Sequence, residues 1–186
     1  MIVSGPSGAG KGTLIEAVLP RFDELDVAVS ATTRPMRQGE RDGREYHFMT
    51  RDDFERRVAA GEFLEHVTYA GNLYGTPEWE VERRLAAGHS VILEIELIGA
   101  RAVRRRLPDA VAVFIAPPSM DELSRRLRDR GTEDEADIAR RLEVGRTELE
   151  AMAEFDHVIV NEDRERAADR LADVVAEVTG AVARAR

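Results

Sequence analysis

The segment Gly5-Pro6-Ser7-Gly8-Ala9-Gly10-Lys11-Gly12-Thr13 brings spaced glycines, a lysine and a hydroxyl into one short stretch. Glycines let backbone N–H groups approach a polyphosphate, a helix starting here adds partial positive charge, and Lys11 reaches the β and γ phosphates. The lysine is singular: of 27 cations, 26 are arginine, so Lys11 is the chain's one flexible point charge. Gly12 separates it from the hydroxyl of Thr13, the loop's candidate ligand for Mg2+. Two carboxylates, Glu94 and Glu96, end the apolar run Val91-Ile92-Leu93. Two apart on a strand, they are expected to share a face at its C-terminal edge, where open α/β sheets bind ligands. Glu94 is the second candidate for Mg2+, through water.

Three further groups carry chemistry with a plainer alternative beside it. Arg34, Arg37, Arg41 and Arg44 fall within eleven residues, where composition predicts about one or two, so they read either as an anion clamp or as a solvated turn. Glu65 interrupts the apolar stretch Phe63 to Tyr69, as a carboxylate turned to a polar partner or as a strand residue facing water. Arg125, Arg126, Arg128 and Arg130 crowd one helix end, with Arg140 and Arg141 in the next helix. They form either a cationic cluster able to meet an anion or a charged helix face.

The elements that must position these residues alternate between strand and helix. Strands are expected at Met1 to Ser4, Val27 to Ser30, Tyr46 to Met49, Phe63 to Tyr69, Leu73 to Tyr74, Ser90 to Glu96, Ala110 to Ala116 and His157 to Val160. Helices are expected over about Gly12 to Leu19, Thr50 to Gly61, Thr76 to Gly88, Leu97 to Leu107, Ser119 to Asp129, Glu133 to Glu154 and Glu165 to the C-terminus. Thr50 with Asp53, Ser119 with Glu122 and Thr132 with Glu135 make capping boxes, and Thr76 caps a helix that has Pro77 at its first position. The near-continuous apolar runs suit strands buried on both faces, hence a parallel sheet. The pattern is α/β with a mixed insert.

Composition narrows the classes. With 186 residues and 43% hydrophobic residues, one compact domain is expected. Acids outnumber bases 36 to 27, which disfavours general nucleic-acid binding. No apolar run nears the roughly 20 residues of a membrane span and no charged-then-apolar leader opens the chain, so a cytoplasmic location is expected. The absence of cysteine removes disulfide and thiolate chemistry, and His47, His66, His89 and His157 lack metal-ligand spacing.

Taken with the loop, the stretches Ser30-Ala31-Thr32-Thr33-Arg34-Pro35, Gly71-Asn72-Leu73-Tyr74-Gly75-Thr76, Arg130-Gly131-Thr132-Glu133 and Val158-Ile159-Val160-Asn161 resemble the signatures of guanylate kinases over nearly the whole chain. The resemblance implies a P-loop core at residues 1–32 and 89–186, a GMP-binding insert at about 33–88 and a lid at about 125–142. It implies transfer of the γ-phosphoryl group of MgATP to GMP, in a monomer or homodimer. Gly5 to Thr13 and Asn161 would bind ATP. Arg34 and Arg37, with Tyr46 and Tyr74, would clamp the GMP phosphate. Glu65 would read guanine, Ser30 and Thr76 would hydrogen-bond the base, and Glu96 would lie near GMP where the family has aspartate. Ile98 stands where a glutamine is common. Lys11, Arg126, Arg130 and Arg141 would stabilise the transferring phosphoryl group. A kinase of this fold acting on another phosphorylated acceptor, and a non-catalytic interaction module, are the competing readings.

Overall fold

A computed structural model describes residues 1–69, 71–129 and 135–184. In chain order the elements are β1 (Ile2–Ser4), α1 (Lys11–Val18), β2 (Leu25–Val27), β3 (Ala31–Thr32), β4 (His47–Phe48), α2 (Arg51–Ala59), β5 (Phe63–Tyr69), β6 (Asn72–Pro77), α3 (Glu78–Ala86), β7 (Ser90–Glu94), α4 (Leu97–Arg106), β8 (Ala112–Ala116), α5 (Met120–Asp129), α6 (Glu135–Glu150), β9 (His157–Val160) and α7 (Arg164–Thr179). The architecture is α/β, with a five-stranded parallel sheet in the order β2-β7-β1-β8-β9 and a mixed four-stranded sheet in the order β4-β3-β6-β5.

The chain divides into two compact units: residues 1–23, 94–97 and 111–186, and residues 24–93 and 98–110. In the first, β1 pairs with β8 and β8 with β9, all parallel. Every residue of β8 is buried, as a strand covered on both faces requires. Leu123, Leu127 and Ile138 form a cluster between α5 and α6, with Met120 and Leu142 against it. Each such buried side chain is worth roughly 1.5–3 kcal/mol. In the second unit β2 and β7 run parallel, β5 and β6 form an antiparallel hairpin, and Phe54 of α2 stacks on Phe63 of β5 at 4.4 Å.

Local chemistry explains the helix ends. Thr50 accepts from the Asp53 N–H at 3.2 Å and Ser119 from the Glu122 N–H at 3.1 Å, so both expected boxes supply a cap. The third expected box, at Thr132, lies outside the described residues.

Several boundaries differ from expectation. The second strand is Leu25–Val27 rather than Val27 to Ser30, because Leu25 to Val27 are the residues in register with Ser90 to Ile92 of β7. Ser30 therefore lies in the connection to β3, a short strand that the sequence pattern did not reveal. Thr76 is not a helix cap: β6 runs through Pro77, and Pro77 itself is the cap residue of α3. The strand β7 stops at Glu94 instead of Glu96, yet the Ile95 N–H still donates to the Val3 carbonyl at 3.2 Å. Exposed Glu94 and Glu96 consequently still alternate with buried Ile95. Finally, α7 starts at Arg164 with Asp163 as its cap and stops at Thr179, where Gly180 turns left-handed at φ 67°.

Candidate functional site

In the first unit the glycine-rich loop joins β1 to α1. Gly10, immediately before α1, has φ 95°, and a Cβ there would run into the Asn161 side-chain amide. Only glycine satisfies both the left-handed backbone and that close approach. No side chain caps α1 and no acid occupies its first turn, so the helix offers N–H groups and the positive end of its dipole to an anion.

Three side chains from distant positions hold the loop. Asn161, after β9, donates its amide to the Ala9 carbonyl at 2.8 Å. Arg126 of α5 donates to the same carbonyl at 3.3 Å and to the Asn161 carbonyl at 2.8 Å, while pairing with Glu122 at 2.7 Å. Arg141 of α6 donates to the Ser7 hydroxyl at 2.6 Å. Lys11 folds back on its own loop, donating to the carbonyls of Gly5 at 2.5 Å and Pro6 at 3.2 Å. The structure thus gathers Ser7, Ala9, Gly10, Lys11, Arg126, Arg141 and Asn161 around one loop. Arg130 lies outside the described residues.

Two acids share this neighbourhood. Glu94 is exposed, but protein crowds its carboxyl, and that desolvation pushes its pKa up, with Lys11 and the Gly12 N–H pulling down against the further push of Glu16. Glu148 of α6 is buried; desolvation pushes it up, Lys11 pulls it down, Glu96 pushes it up, and the Leu97 N–H donates to it. Glu94 and the exposed Thr13 supply hard oxygen donors, which suits a cation such as Mg2+ that keeps most of its shell in water and phosphate. A carboxylate disfavoured by desolvation is relieved by a cation, so these residues fit the ion.

The second unit gathers a different set. Arg34 forms a fork with Glu40, at 2.7 and 3.0 Å, with its guanidinium 5.4 Å from the Tyr46 ring centre. The Tyr46 ring lies edge-on to Tyr74 at 6.0 Å. The Glu40 hydrogen bond is the main cause raising the Arg34 pKa, and Arg34 holds the Glu40 carboxyl below its usual range. Arg37 is exposed, and its N–H donates to Glu40 at 2.7 Å. Arg41 and Arg44 are exposed, consistent with a solvated turn.

Glu65 does not face water. Only 6% of it is exposed, at a bulge in β5, and its Oε1 accepts the Thr76 hydroxyl at 2.8 Å. Gly99, at the start of α4, is the residue that makes room: a Cβ there would lie 2.7 Å from the Glu65 Oε2. Ser30 is half-buried, its carbonyl accepting from the His47 N–H at 2.9 Å. Glu96 belongs to the first unit with Glu94, whereas the other candidates for the acceptor nucleotide belong to the second. Sequence reasoning missed Glu40, Gly99 and Glu148. Glu40 had a local signal, an acid six residues beyond Arg34. The other two act on residues far off in the chain.

The parallel sheet and the glycine loop opening α1 define the class: a P-loop nucleotide-binding α/β protein. Comparison with known proteins carries this further. A family model described as guanylate kinase matches residues 1–178. The guanylate kinase of Frankia casuarinae is 57% identical over 170 residues, 91% of this chain and 92% of that protein. That of Rubrobacter xylanophilus is 51% identical over 178 residues, 96% and 93% of the two chains. The crystal structure of guanylate kinase from Anaplasma phagocytophilum superposes with a TM-score of 0.77 at 32% identity, covering 97% of this chain and 86% of that one. This chain belongs to the guanylate kinase family. It is an enzyme that transfers the γ-phosphoryl group of ATP to GMP, giving ADP and GDP.

Proposed function

We propose that the two units divide the reaction, with the loop unit holding ATP and the small-sheet unit holding GMP. Gly5 to Thr13 cradle the ATP phosphates, Lys11 swings from its loop carbonyls to the β and γ phosphates, and Asn161 stands near adenine. Arg34 and Arg37, flanked by Tyr46 and Tyr74, receive the GMP phosphate. Glu65 reads the base, assisted by Ser30 and Thr76, and Glu96 contributes near the guanosine.

The observation that carries this reading is the buried Glu65 carboxylate with Gly99 cleared beside it. Guanine presents two adjacent donors, N1–H and the 2-amino group, which one carboxylate accepts together. Adenine presents a lone pair at N1 and is repelled. Little acid-base work is needed, because the attacking GMP phosphate oxygen is already anionic. It forms a bond to the γ-phosphorus as the bond to the β-bridging oxygen breaks, and ADP leaves. The residues therefore position the reactants, neutralise charge and exclude water. Mg2+, bound by ATP and steadied by Thr13 and Glu94, would supply charge neutralisation on the phosphates. Arg126, Arg130 and Arg141 stabilise charge on the transferring group, in a lid at about 125–142, while residues 33–88 form the acceptor insert. The setting is cytoplasmic purine nucleotide metabolism.

A coupled ADP-release assay over GMP, AMP, CMP and UMP tests the acceptor. GMP is expected to be strongly preferred, and equal turnover of AMP would overturn the reading.

A further inference from the structure

The α3 helix buries one of its charges. Glu80 is completely buried, whereas its neighbour Trp79 is 37% exposed. Its Oε1 accepts from the Arg84 Nε at 2.8 Å and Nη2 at 2.6 Å, and from the Val29 backbone N–H at 3.1 Å. Its Oε2 accepts from Arg83 at 2.9 Å and faces the His47 Nε2 at 3.6 Å. Arg84 continues to Asp26 of β2 at 2.9 Å, and Asp26 meets His89 at 2.8 Å. Burial pushes the Glu80 carboxyl up, but the hydrogen bonds from Arg84 and Val29 outweigh it and hold the group below its usual range.

A buried ion pair is seldom more stabilising than an apolar side chain of the same volume, so its use lies in the geometry that it fixes. Here that geometry is the connection Ala28-Val29-Ser30 between β2 and β3. The Ala28 N–H is held by the Ile92 carbonyl at 2.9 Å, and the Ser30 carbonyl by the His47 N–H at 2.9 Å. Between those backbone ties, the Val29 N–H is held by a side chain, that of Glu80. His47, which ties Ser30 from the other side, lies against both Glu80 and the Trp79 ring, whose centre is 4.8 Å away. Glu80 thus touches both neighbours that set where Ser30 sits.

We infer that Glu80 is a positioning residue for guanine recognition: through the Val29 N–H and the His47 ring, it fixes the Ser30 hydroxyl at the base-binding end of the acceptor site. This rests on the assignment of Ser30 to the base.

The test is steady-state kinetics of the whole enzyme for both substrates, with Glu80→Gln, Ser30→Ala and the double variant. Losing the placement of one hydrogen bond is expected to raise KM for GMP about threefold to tenfold in Glu80→Gln, with KM for ATP and kcat within about twofold. Adding Glu80→Gln to Ser30→Ala is expected to raise KM for GMP no further, because both act through one hydroxyl. An unchanged KM for GMP in Glu80→Gln, an equal rise for ATP, or full additivity in the double variant would overturn the inference. A silent Ser30→Ala would instead remove the assignment of Ser30 itself, and the inference with it. If Glu80→Gln does not fold, Glu80→Asp decides by the same criteria, since it keeps a charge for Arg84 while withdrawing from Val29 by one methylene.

Discussion

Around the loop of the first unit, Glu94 and Glu148 are pushed toward protonation by burial and Lys11 rests on the loop's own carbonyls, whereas in the second unit Glu40 and Glu80 are matched by Arg34, Arg83 and Arg84 and held below their usual range. In the first, Lys11 and a backbone N–H pull against the desolvation of each carboxylate without cancelling it. The second is complete before any ligand arrives. On the proposed division of the reaction, carboxylates left raised beside the loop suit a site completed by a polyphosphate and its cation, and carboxylates held by arginine suit a site whose geometry is fixed to tell one base from another.

The sharpest break in this comparison comes at Lys11. Lys11→Met is expected to lower kcat by about a thousandfold or more with KM for GMP little changed, because the lysine is proposed to act on the phosphates of the other substrate. Steady-state assays on the folded variant check it. Arg34→Ala should show the reverse split, KM for GMP rising by about ten- to a hundredfold, since the guanidinium proposed to receive the GMP phosphate is lost and Glu40 keeps only the Arg37 N–H. Arg141→Ala, on the loop side, is expected to lower kcat more than it raises KM for GMP, by about tenfold.

Gly99→Ala sharpens the comparison within the second unit. Its new methyl meets the Glu65 carboxylate, whose bond to Thr76 resists displacement, so kcat/KM for GMP should fall by about tenfold while ATP binding in the absence of GMP, measured by calorimetry, is retained. The smallest effect concerns Glu148. Its folded pKa is raised above the ordinary 4.5, so the charged form costs stability. That cost is fully present above the folded pKa and disappears as pH falls through it to 4.5. Glu148→Gln is therefore expected to raise Tm near neutral pH, with a gain that shrinks to nothing in acid. Thermal melts across that range measure it.

The legible parts of the sequence were those whose partners are close in the chain. The loop from Gly5 to Thr13, the Thr50 and Ser119 caps and the apolar run of β8 each declare themselves within a few residues. Thr76 misled because a threonine before a proline and a helical pattern is a cap by local rule, whereas the pairing of β6 with β5 keeps it in the sheet and turns its hydroxyl to Glu65. Ser30 misled for a related reason: the register of β2 on β7, which the local pattern does not encode, ends the strand at Val27. Glu80 and Val29 are 51 positions apart, and only the fold brings an acid on α3 to the connection after β2. Burial of Glu65 was likewise invisible, because an acid in a strand reads as solvent-facing until its neighbours are known.

The proposed division of labour between the units is tested most directly by the acceptor selectivity of Glu65→Gln, measured as kcat/KM for GMP over that for AMP together with KM for ATP. An amide must present one donor and one acceptor to two guanine donors, so the selectivity should fall by about a hundredfold while KM for ATP stays within about twofold. Unchanged selectivity, or a loss shared equally by ATP, would contradict the account.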